Sequence, residues 1–184
     1  MPARRRSARM GTVVATLFLA AACGTTEPAA LKPMKPEVPA DLCATVPPAA
    51  RTGLIANSNT DTTGNPTAAC SLRSPDGASG KVNAVVTWVQ TDNDSTAVAV
   101  LDSQCRAIDR QKFREQSGFQ AAGADKACGA SGKVDGADSA TMAATAGREV
   151  VTVRLSTQPP TNPPAMGRAQ QILEGVLGSL AGGS

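Results

Sequence analysis

The 184-residue chain has no histidine and no tyrosine, and only one tryptophan and three phenylalanines. Without histidine neither a Ser-His-Asp triad nor a Cys-His pair can be built, because no imidazole is present to take the nucleophile's proton. So few aromatics leave little surface for stacking bases, and nucleic acid is not an expected partner. The five cysteines include no Cys-x-x-Cys pair, so no zinc or redox site of that type is expected. Gly118, Gly123, Gly129 and Gly132 lead to no Gly-Lys-Ser or Gly-Lys-Thr ending, so they form no phosphate loop, and no cofactor is expected. No Ser-x-x-Lys motif is present either. Two carboxylate pairs remain, Asp92 with Asp94 and Asp135 with Asp138. Helix capping and turn formation account for both more simply than acid-base chemistry does. The chain also lacks an apolar run near the roughly 20 residues that a helix needs to cross a bilayer.

A shorter apolar run is present. Arg4, Arg5, Arg6 and Arg9 precede the uncharged segment Gly11 to Ala22, which meets Cys23. A basic start and a short apolar stretch make an export signal. Leu19-Ala-Ala-Ala-Cys23 resembles the lipobox of bacterial lipoproteins, which implies cleavage before Cys23 and a diacylglyceryl group on its sulfur. The expected organisation is a signal over residues 1–22, a lipid-anchored tether over 23–40 and one domain over 41–184. The expected location is the outer face of the cytoplasmic membrane.

Charge then reads differently for the exported chain. Of 18 Lys and Arg, four lie before Cys23 and no acid does, leaving 14 bases against 15 acids and a formal balance of −1. The basic character of the whole chain belongs to the signal, and it makes no case for a polyanionic partner. Pro28, Pro33, Pro36 and Pro39 punctuate the segment after Cys23, which reads as an extended spacer of about 50 Å at ~3.1 Å per residue.

Cys43, Cys70, Cys105 and Cys128 form an even set in an exported chain, which implies two disulfides. Three pairings are open. Cys43–Cys70 with Cys105–Cys128 is favoured, because each bond would tie a predicted helix to the segment that follows it.

The remaining pattern predicts short helices on either side of Pro47-Pro48, with Asp41 as a cap, then a loop over 57–66 and a strand near 69–73. Ser74 to Gly80 carries turn chemistry, and Lys81 to Gln90 alternates as a strand with Val82, Ala84, Val86 and Trp88 on one face. Trp88 is expected in the core. After the cap cluster Asn93-Asp94-Ser95, the residues Val98, Leu101, Cys105 and Ile108 recur at helical spacing. Arg106, Arg110, Lys112 and Arg114 make a local basic run. Residues 129–138 read as turns, and Thr141–Thr145 with Glu149–Leu155 as a second hairpin whose Val151, Val153 and Leu155 point inward. Met166, Ala169, Leu173, Val176 and Leu180 form the stripe of a terminal helix. The fold class expected is α+β, an antiparallel sheet of about four to five strands packed by two to three helices.

The Leu42-Cys43 opening, Ala69-Cys70-Ser-Leu, the helix with Cys105, Cys128, the strand to Leu155 and the terminal helix together resemble a family of actinobacterial lipoproteins of unassigned function. That family is similar in style to the extracellular sensor domains of receptor kinases. The resemblance implies a ligand- or partner-binding envelope module with no catalytic residues to carry over. Its expected partners are the membrane, through Cys23, and an envelope protein such as a sensor kinase concerned with envelope stress. The alternative is a carrier or scavenger of a small molecule or cell-wall fragment.

Overall fold

The computed structural model describes residues 38–108 and 112–182. The signal, Cys23, the tether before Val38 and Arg110 lie outside them. Two short helices open the described chain, α1 (Leu42–Thr45) and α2 (Pro48–Arg51). Asp41 Oδ1 accepts the Cys43 N–H at 2.9 Å, as an N-cap should. Pro47, which offers no N–H to continue α1, separates the two helices.

Seven strands follow as one antiparallel sheet, β1 (Ile55–Asp61), β2 (Thr67–Arg73), β3 (Lys81–Gln90), β4 (Arg114–Glu115), β5 (Lys126–Val134), β6 (Ala137–Ala146) and β7 (Glu149–Gln158). The spatial order is β1-β2-β3-β7-β6-β5-β4. Two meanders are thus joined through β3 and β7. Two substantial helices accompany the sheet, α3 (Asp94–Ala107) between β3 and β4, and α4 (Ala165–Gly182) after β7.

Alternation along the strands sorts side chains onto two faces. Leu72, Val86, Trp88, Met142, Val151 and Val153 are fully buried on one face, packed by Ile172, Leu173 and Val176 of α4 and by Leu42 of α1. The expected inward residues of β3 and β7 all belong to this core except Val82, which is only half-buried. The α4 stripe is broader than the expected one, for Ile172 and Leu177 are buried as well while Leu180 is half-buried. Asp138 Oδ2 reaches across to accept the N–H of Ala165 at 2.9 Å, satisfying one of the free donors that begin α4.

The opposite face carries α3. Its Ala97 and Leu101 are buried outside the main core cluster, alongside Ala143 and Val150 of the sheet. A helix buried through so few side chains needs another hold, and the Cys105–Cys128 disulfide supplies it by joining α3 to β5. Cys43–Cys70 likewise fastens α1 to β2. The Cα separations of 6.0 and 5.0 Å lie in the ordinary range for such bonds.

Three expectations are corrected. The strands number seven, not four to five. Residues 57–61 of the expected loop are edge strand β1, polar because nearly all of it faces solvent. Residues 129–134 belong to β5, and the expected turn shrinks to Asp135-Gly136, both at positive φ between β5 and β6.

Candidate functional site

The fourteen residues of α3 span about 21 Å at 1.5 Å per residue. The ten residues of β7 span about 33 Å. The helix therefore cannot cover the strand beneath it. On β7, Val150 and Thr152 are buried on the α3 side, and the next residue on that side, Arg154, is exposed. An open cleft of ≈ 740 Å³ begins there. Its floor is built from β3, β7 and β6, and its roof from the C-terminal end of α3 and the segment at Lys112-Phe113.

Strand register fixes the floor. Arg154 lies between Val85 of β3 and Thr141 of β6. The next row on that face is Asn83, Ser156 and Ser139. Gln104 and Ile108 look in from α3, and Phe113 closes one side. Phe113 is held there because β4 pairs with β5 through Arg114↔Ser131 and Glu115↔Ala130. Gly132 permits the same close approach: a Cβ on it would collide with the backbone carbonyl oxygen of Lys112.

Two cations, Lys112 and Arg154, and one acid, Asp135, line the cleft. The ion pair found among the described residues, Arg73 with Asp76, lies elsewhere, and Arg154 has no charged partner there. Ser139, Thr141 and Ser156 supply hydroxyls, but no described hydrogen bond joins any of them to a lysine or carboxylate as a nucleophile to its base. Among the described residues the arrangement presents polar and charged side chains to an open space.

Other candidates are already committed. Asp135 forms the β5–β6 turn and Asp138 caps α4. At the start of α3 the capping oxygen is Asn93 Oδ1, which accepts the Thr96 N–H, while Asp92 and Asp94 are exposed. Trp88 is fully buried and offers no platform for sugar. Beside it on the α4 side, burial pushes the Glu149 carboxyl up from its ordinary value, opposed by the Trp88 N–H and the Arg148 charge. The Trp88 N–H approaches Glu149 without completing a hydrogen bond, and Gln90 Oε1 is also buried unpaired. A further recess of ≈ 640 Å³ lies beside the Cys105–Cys128 bond. Its Asp125 is occupied, accepting the Gly147 N–H at 2.7 Å.

The basic run seen in the sequence is split by the fold. Lys112 faces the cleft, whereas Arg106 and Arg114 are exposed on α3 and β4. Arg154 is not among the expected site residues, although the sequence carries one signal for it: it is the sole charge between Val150 and Leu155, a stretch otherwise apolar or threonine. Among the described residues no group of His, Cys, Asp or Glu is placed to hold a metal ion. No described helix is long and apolar enough to cross a membrane. Comparison with protein-family models, curated proteins and solved structures finds no match to this chain.

Proposed function

We propose that the protein is a lipid-anchored, extracytoplasmic binding module, non-enzymatic, whose working surface is the cleft beside Arg154. The observation that carries this reading is the uncovered half of the α3 face, where polar side chains with no described hydrogen-bond partner converge in a space of ≈ 740 Å³. That size falls within the range of small-ligand sites, about 300–1,000 Å³. The two disulfides support the compartment, since such bonds persist in oxidising surroundings. The sequence before Cys23 supports the anchor. The cleft favours carriage or sensing of a small ligand over a flat protein contact. An envelope protein such as a sensor kinase would then read the ligand-bound form.

Two measurements test the reading. Metabolic acyl labelling should mark the wild-type chain and fail on Cys23→Ser; labelling that persists in the variant refutes the anchor. In a deletion strain under cell-wall stress, a cleft-filling Ser156→Trp chain that is exported and folded should restore growth no better than an empty vector. Full restoration would remove the cleft from the function.

A further inference from the structure

We infer that the cleft receives an anionic group, a carboxylate or a phosphate, borne on an apolar body, with Arg154 as the residue that takes the charge. This rests on the cleft being the binding site. β7 is the central strand of the seven. A charge on such a strand would be stabilised by an opposite charge facing it across a strand pair. Arg154 faces Val85 on one side and Thr141 on the other. Among the described residues its guanidinium is therefore left with its full fork of donors, a geometry that matches a carboxylate or phosphate through two parallel hydrogen bonds.

The surroundings favour the same ligand class. Asn83 and Ser156, one row away, can add neutral hydrogen bonds, and Lys112 brings a second cation from the roof. An isolated exposed pair contributes little, but several donors around one anion act as a network. Val85, Ile108 and Phe113 add apolar surface to the lining, so a bare inorganic ion would leave that surface unused. Among the described residues the negative elements facing the space are Asp135, at the β5–β6 turn, and the carbonyl end of α3.

The test uses the full exported chain carrying Cys23→Ser, titrated by calorimetry with decanoate, decyl phosphate, inorganic phosphate, decyl maltoside and decyltrimethylammonium, each below its micelle concentration. Decanoate and decyl phosphate should bind at least about tenfold more tightly than the neutral and cationic amphiphiles. Arg154→Gln should erase that preference with no change in thermal unfolding, because Arg154 is exposed and supports no described contact. Lys112→Gln should weaken anion binding severalfold, and Arg73→Gln should leave it unchanged. Anion affinity that survives Arg154→Gln overturns the proposal. Equal binding of neutral amphiphiles overturns the anionic class while leaving the cleft as the site, and binding of none removes both. Inorganic phosphate binding as tightly as decyl phosphate overturns the apolar half.

Discussion

Two glycines of α4 separate packing from propensity. A Cβ on Gly175 would fall on Pro47 Cγ and lie 2.7 Å from Cδ, whereas a Cβ on Gly178 would meet nothing within 4 Å. Unstrained carbon contacts lie near 3.5–4.0 Å, so Gly175→Ala forces α4 and Pro47 apart. Neither side can yield cheaply. The proline ring is rigid, Val46 beside it is fully buried, and α1 is fastened to β2 by Cys43–Cys70. Helix propensity favours either alanine by about 1 kcal/mol, and overpacking costs about 1–3 kcal/mol. Gly178→Ala should therefore stabilise the domain by about 0.5–1 kcal/mol. Gly175→Ala should destabilise it by up to about 2 kcal/mol, the overpacking cost exceeding the helical gain. Urea unfolding followed by the emission of Trp88, the single tryptophan and fully buried, reads both changes. With a slope of about 1–3 kcal/mol per molar, the two midpoints should straddle the wild type. Gly175→Ala matching Gly178→Ala, or exceeding the wild type, would refute the contact between α4 and Pro47.

Removing Cys105 and Cys128 together as alanines should cost about 2–5 kcal/mol by urea unfolding. It should also raise hydrogen exchange in α3 more than in α4, because α3 has only Ala97 and Leu101 buried to hold it; equal exchange in both helices would show that the bond does not pin α3. Glu149 supplies a pH prediction. Burial raises its folded-state value above the ordinary 4.5, so the folded chain holds this proton to higher pH than the unfolded chain. Its contribution is best below the ordinary value and is lost as pH rises through the raised one. Glu149→Gln should thus be more stable than wild type near pH 7 and lose that advantage near pH 4, read as the difference in thermal midpoints; an advantage independent of pH would contradict it.

Much of the core was legible because burial writes itself into alternation. β3 has the bounds that its pattern predicts, and the inward residues of β7 and the favoured disulfides are those found. What escaped had physical reasons. β1 is an edge strand with almost no buried side, so its Asn, Ser and Thr residues read as loop. β5 carries Gly129 and Gly132 where neighbours press close, Met166 and Phe119 on the first and the Lys112 backbone on the second. Glycine in a strand marks such approaches, yet in sequence it reads as a turn. The cleft was not legible at all. It arises from the difference in length between α3 and β7 and from a register that sets Arg154 beside Val85, Thr141 and the Asn83-Ser156 row. No local pattern encodes either.

Amide shift mapping of the full exported Cys23→Ser chain during a decanoate titration tests most directly that the uncovered half of the α3 face is the working surface. The account predicts saturable shifts at Asn83, Phe113, Arg154 and Ser156, with Leu72 and Val176 on the α4 side unmoved. Shifts centred on the α4 side or along β1, or no saturable shift at any concentration below the micelle limit, would contradict it.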